Sequence, residues 1–152
     1  MKNLFSVDGK VVVVTGGSRG IGEMIAAGYL ANGAKVYITS RKAAVCDATA
    51  QRLAETWGGE CISIPADMAT LEGIEGFVGE LSSVESHVDI LVNNAGVAWG
   101  APLEEFPEVG WDKVMDTNVK GVFFLTQKLL PLLEQNAAHD APSHVINVGS
   151  GS

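Results

Sequence analysis

Thr15-Gly16-Gly17-Ser18-Arg19-Gly20-Ile21-Gly22 follows directly on Val11-Val12-Val13-Val14, and residues of these types at this spacing suit the binding of an anionic phosphate. The glycines let the backbone turn sharply and come close to another molecule. A helix that starts near Ile21 offers unpaired N–H groups and the positive end of its dipole. Ser18, Ile21 and their neighbours Gly16, Arg19, Gly20 and Gly22 are then the donors around a pyrophosphate. The rival reading is a tight β–α turn with no ligand. The buried strand before the loop, the helix after it and the alternation of both along the chain favour a dinucleotide.

The second strand decides which dinucleotide. An acid at its end would hold the ribose 2′-hydroxyl of NAD, but Val36-Tyr37-Ile38-Thr39-Ser40-Arg41-Lys42 has none. Ser40, Arg41 and Lys42 stand there instead, and Arg19 in the glycine loop adds a third cation. Arginine's planar fork of donors matches a phosphate, so NADP fits better than NAD. Ordinary solvated charges are the alternative reading of Arg41 and Lys42.

Other polar residues lie near the ends of elements. Asp67 in Pro65-Ala66-Asp67-Met68 is equally suited to accept from an adenine amino group or to cap a helix beginning near Thr70. Asn93-Asn94-Ala95-Gly96 has the composition of a turn whose backbone passes close to a ligand, with a plain turn as its rival. Trp111, Met115, Val122, Leu125 and Leu129 mark a helical stripe, and Asn118 fills the gap in it. A polar side chain on a buried stripe needs partners, and spacing alone favours neither catalysis nor structure for Asn118. A second apolar stripe, Val119, Phe123 and Leu130, marks either deep burial or a contact with another subunit, and Pro131 is expected to weaken or kink the helix. Ser150 lies just beyond the fifth strand. It is no hydrolase elbow, because Val148 stands where that motif has glycine. His87, His139 and His144 show no metal-ligand spacing and are expected at the surface.

The elements that must position these residues alternate along the chain. Strands are predicted over 11–15, 35–40, 61–65, 88–93 and 145–148. Helices are predicted over 21–32, 43–56 and 70–84, with a long one starting near Trp111 and running to about residue 135. Short connections between alternating elements imply an α/β fold, a Rossmann-type doubly wound parallel sheet in the order 3-2-1-4-5. Residues 1–152 are read as one dinucleotide-binding domain. The fifth strand is then an outer one, apolar and uncovered, so a further segment is expected beside it, or the chain is a fragment.

Composition narrows the function. The net charge of −8 and the pI near 4.7 argue against a nucleic-acid or anionic-membrane partner. Hydrophobic residues make up 47% and the mean hydropathy is +0.21, yet no apolar run reaches the ~18 residues of a membrane span. The amino terminus lacks the apolar stretch of a signal peptide. Cys46 and Cys61 are expected as free thiols in a reducing cytoplasm, and no metal site is expected.

Five features in order resemble the short-chain dehydrogenases/reductases: the Thr-Gly-x-x-x-Gly-x-Gly loop at 15–22, Asp67, Asn-Asn-Ala-Gly at 93–96, Asn118, and a serine after the fifth strand. Ser40-Arg41 with Arg19 resembles the NADP-preferring members. Trp99-Gly100 and Leu129-Leu130-Pro131-Leu132-Leu133 are similar to β-ketoacyl reductases of the rhamnolipid-associated type. The resemblance implies hydride transfer from NADPH to a ketone, with a 3-oxoacyl thioester as the expected substrate. It gives Ser150 a hydrogen bond to the carbonyl oxygen and Asn118 a relay water. Asp67 and Met68 would line the adenine, and Asn94, Ala95 and Gly96 its ribose side. It further implies a seven-stranded sheet and a homo-oligomer, here expected through the 111–135 helix. The family's general acid sits in a Tyr-x-x-x-Lys pair, which does not occur in these residues, so catalysis by residues 1–152 alone is not expected.

Overall fold

Four consecutive valines are buried because helices cover both faces of the strand they form. The structure, a computed structural model, describes residues 3–150. Strand β1, Val11–Thr15, is buried throughout. It lies between β2, Lys35–Thr39, and β4, Ile90–Asn93, with β3, Cys61–Ser63, and β5, His144–Asn147, at the two edges. All pairings are parallel and the order is β3-β2-β1-β4-β5, as expected. Helices α1, Gly20–Ala31, and α2, Ala43–Trp57, cover one face. Helices α3, Leu71–Val84, and α5, Gly121–Glu134, cover the other.

Several boundaries differ from the sequence expectation by a residue or more. β3 ends at Ser63, although Ile64 and Ala66 still donate to Ile38 and Ser40 at 3.0 and 3.1 Å; Pro65 between them falls on the outward side of this edge strand, where its missing N–H breaks no ladder bond. β4 begins at Ile90, since before it the Asp89 carboxylate takes the Val11 N–H at 2.8 Å in place of a backbone partner. β5 runs over 144–147, not 145–148, and all of its residues are exposed. α5 runs through Pro131 and ends at Glu134, close to the expected end.

The long helix departs most. It starts with α4 at Glu108, and between α4, Glu108–Met115, and α5 it widens into a π turn over Asp116–Lys120. A π turn inserts one residue, which rotates everything downstream by about 100°. The stripe therefore breaks. Gly121, Leu125, Leu129 and Leu133 face the core, each leucine contributing about 2 kcal/mol by its burial, whereas Trp111, Met115 and Asn118 are exposed. Val119, Phe123 and Leu130 are exposed as well.

A polar network lies far from the glycine loop. Lys35 Nζ and the Tyr37 hydroxyl each meet a Glu85 carboxylate oxygen at 2.7 Å. His87, expected at the surface, is half-buried against Asp89 at 3.2 Å. Burial of Glu85 opposes its ionisation, but hydrogen bonds from Lys35 and Tyr37 outweigh it and hold the carboxyl below the usual glutamate range. The resulting stabilisation is complete above the pKa of an unfolded glutamate, about 4.3, and is lost as pH falls through the lower folded value. Urea midpoints are expected to fall as pH drops below about 4.3, and Glu85→Gln is expected to flatten that fall. Equal slopes for both proteins would contradict it.

Candidate functional site

The carboxyl ends of β1 to β4 open into a cleft of about 470 Å³. It lies where the strand order reverses, with β2 and β3 on one side of β1 and β4 and β5 on the other, the usual place for ligands in such sheets. Gly16, Ser18, Arg19 and Gly20 form one wall. Thr39, Ser40, Arg41 and Lys42 form a second; Ala66, Asp67 and Met68 a third; and Asn94, Ala95, Gly96 and Val97 the floor. Thus most residues singled out from the sequence converge, although they come from four separate loops. Among the described residues, Arg19, Arg41 and Lys42 take part in no ion pair. The buried hydroxyls of Thr39 and Ser40 have no hydrogen-bond partner. Unmatched donors and cations on one wall suit an anionic, acceptor-rich ligand.

Gly16 and Gly20 have φ of 63° and 58°, the left-handed region where glycine is favoured. Gly22 has a different role from the one its place in the motif predicts. It does not line the cleft; it is buried where a Cβ would collide with the Gly16 carbonyl oxygen, so it lets α1 pack against the loop. Ile21 is exposed beside the cleft in the first turn of α1, where N–H groups lack helical partners.

Asp67 is not the helix cap. Its Oδ1 accepts from Ala69 N–H at 2.9 Å, while Thr70 Oγ1 caps α3 by accepting from Gly73 N–H at 3.0 Å. That leaves Asp67 on the cleft wall. Asn94 donates through Nδ2 to the Thr15 and Gly16 carbonyls at 3.1 and 3.4 Å, bracing the loop after β4 against the loop after β1.

Asn118 is exposed, contrary to the expected buried stripe, yet both its oxygen and its nitrogen are paired. Its Oδ1 accepts from Val97 N–H at 2.9 Å and its Nδ2 donates to the Val97 carbonyl at 2.8 Å. The π turn supplies the side chain's position, and the pair holds the cleft floor as a backbone partner would. Asn118→Ala is expected to cost about 1–2 kcal/mol in urea unfolding. No change would show that the pair is idle.

Ser150 is exposed beyond β5 and does not line the cleft. Backbone pairing continues only to Val148, whose N–H donates to the Asn93 carbonyl at 3.0 Å. Sequence reasoning does not single out Thr39 and Thr117, which line the cleft, or the Thr15 hydroxyl that supports its floor. Thr15 and Thr39 end strands at the open edge, and that position was the available signal. Thr117 enters only through the π turn. Asn93 faces inward, donating to Asn147 Oδ1 at 2.9 Å and to Thr126 Oγ1 at 3.2 Å. Among the described residues no group of three His, Cys, Asp or Glu is gathered, and no helix is long and apolar enough to cross a membrane.

This cleft on a 3-2-1-4-5 sheet is the arrangement of a doubly wound nucleotide-binding fold. The short chain dehydrogenase family model matches residues 10–152, and the chain belongs to that family. It is 49% identical over 150 residues to the rhamnolipids biosynthesis 3-oxoacyl-[acyl-carrier-protein] reductase of Pseudomonas aeruginosa, covering 99% of this chain and 58% of that protein. Gluconate 5-dehydrogenase of Gluconobacter oxydans is 39% identical over 125 residues, covering 82% and 48%. The Pseudomonas aeruginosa RhlG/NADP active-site complex superposes with a TM-score of 0.93 at 49% identity, covering 99% and 58%. L-sorbose reductase from Gluconobacter frateurii, complexed with NADPH and L-sorbose, gives 0.78 at 33% identity, covering 82% and 47%. The chain spans about half the length of the curated relatives it matches.

Proposed function

We propose that the chain carries the cofactor-binding part of an NADP(H)-dependent oxidoreductase that reduces a ketone, a 3-oxoacyl thioester foremost, to an alcohol. The observation that carries the reading is the wall of Ser40, Arg41 and Lys42 with Arg19 opposite. It holds an unpartnered hydroxyl, unpaired cations and no acid where an NAD ribose would need one. When bound, the nicotinamide supplies hydride. Gly16, Ser18, Arg19, Gly20 and Ile21 present N–H groups to the diphosphate, with Gly22 allowing the approach. Ser40 and Arg41 take the 2′-phosphate. Asp67 and Met68 face the adenine, and Asn94, Ala95 and Gly96 face its ribose. Ser150 donates to the substrate carbonyl, and Asn118 holds both the floor of the cleft and a relay water. The NADP complexes and the 3-oxoacyl reductase among the relatives support this assignment. Val119, Phe123 and Leu130 offer an apolar strip to a second copy, and the free thiols fit a cytoplasmic setting.

Arg41→Asp tests the cofactor reading. NADPH affinity is expected to fall about thirtyfold, through the lost ion pair and the new repulsion, with little change for NADH. Equal losses for both would show that Arg41 does not read the 2′-phosphate. A second reading is a module that binds NADP(H) without turning it over by itself. NADPH oxidation with an acetoacetyl thioester separates the two.

A further inference from the structure

Threonines inside helices commonly donate to the carbonyl four residues back. Thr56 and Thr126 do so here, to Arg52 and Val122, each at 2.8 Å. Thr49, in the second turn of α2, does not. Its hydroxyl reaches the Ser18 carbonyl of the glycine loop at 2.9 Å, 31 positions away, and both residues are buried. One turn further along α2, Arg52 pairs with Glu23 of α1, so α2 grips the loop and the helix that follows it.

The peptide joining Ser18 to Arg19 is planar and trans, so its C=O and N–H point in opposite directions. Holding the Ser18 oxygen against α2 aims the Arg19 N–H away from α2. Among the described residues that N–H makes no hydrogen bond, and both Ser18 and Arg19 line the cleft although Thr49 does not. We propose that Thr49 is a positioning residue, whose hydroxyl orients the Ser18–Arg19 peptide so that the Arg19 N–H is presented to the diphosphate of a bound dinucleotide. This rests on the NADP(H) reading above.

Thr49→Val removes the donor at nearly constant shape, and Thr49→Ser keeps it. Two probes separate positioning from general loosening: NADPH, and adenosine 2′-monophosphate, which has the 2′-phosphate but no diphosphate. In calorimetric titrations of the full chain, Thr49→Val is expected to weaken NADPH about tenfold and to leave adenosine 2′-monophosphate unchanged. Thr49→Ser is expected to bind both as the unaltered chain does. Equal weakening of the two probes in Thr49→Val, or none in either, would overturn the proposal while leaving the cofactor reading intact. An unaltered chain that binds neither NADPH nor NADH would instead remove the cofactor reading, and this proposal with it.

Discussion

Gly22→Ala is expected to lower stability by about 3 kcal/mol, near 10 °C in melting temperature, and to abolish measurable NADPH binding. A Cβ at this position would meet the Gly16 carbonyl oxygen and lie 2.5 Å from Asn94 Nδ2. Neither neighbour can yield easily. Gly16 is part of the glycine loop and is itself hemmed in by Ala95 and Asn94. Asn94 is tied to the Thr15 and Gly16 carbonyls. The collision is thus relieved only by displacing the loop that walls the cleft, which couples the stability loss to the binding loss. Gly28→Ala in the same helix is the control. A Cβ there meets nothing within 4 Å, and alanine's better helix propensity predicts a gain of up to about 1 kcal/mol. Thermal melts and fluorescence titration of both variants measure the contrast. A Gly22→Ala protein that melts and binds normally would disprove the close approach of α1 to the loop.

Thr15→Val is expected to cost about 3 kcal/mol in urea unfolding, with the loop after β4 displaced. The Thr15 hydroxyl is buried between the two central strands. It accepts the N–H of Asn94 at 3.0 Å and of Ala95 at 2.9 Å, and lies 3.4 Å from the Val92 carbonyl. Valine fills the same space but leaves those two donors without an acceptor, and unmet buried donors are penalised far more than a missing bond alone. Thr15→Ser keeps the oxygen and is expected to remain within about 1 kcal/mol of the unaltered chain. Equal unfolding midpoints for the valine and serine variants would show that the hydroxyl is not the strut described. Slowed amide exchange at Ala95, and its loss in the valine variant, would report the same bond directly.

These two residues show where reading a chain reaches its limit. Both belong to the glycine motif, and Gly22 is visible as a residue the loop requires. Its place in the motif predicts a residue facing a ligand, whereas it packs against the Gly16 carbonyl, because a motif records which residue types occur and not which neighbour excludes a side chain. The partner that excludes it, Gly16, is close in the chain, but the strut that prevents relief comes from Asn94. Asn118 is the converse. The sequence flagged it as the odd polar residue in an apolar stripe, and it does hold two backbone groups. The stripe assumes a uniform 3.6-residue period, which the π turn at 116–120 interrupts.

Consecutive residues carried the strands, the glycine turn and the α/β class, since periodicity and turn chemistry act over a few positions. From that alternation the order of the sheet also follows, because short crossovers of one hand leave few arrangements. The walls of the cleft, the grip of α2 on the glycine loop and the hydroxyl of Thr15 beneath Asn94 emerged only in three dimensions. Thr15 and Asn94 stand 79 positions apart. A hydrogen bond across that distance is decided by which strands lie side by side and in what register, and no local pattern records it.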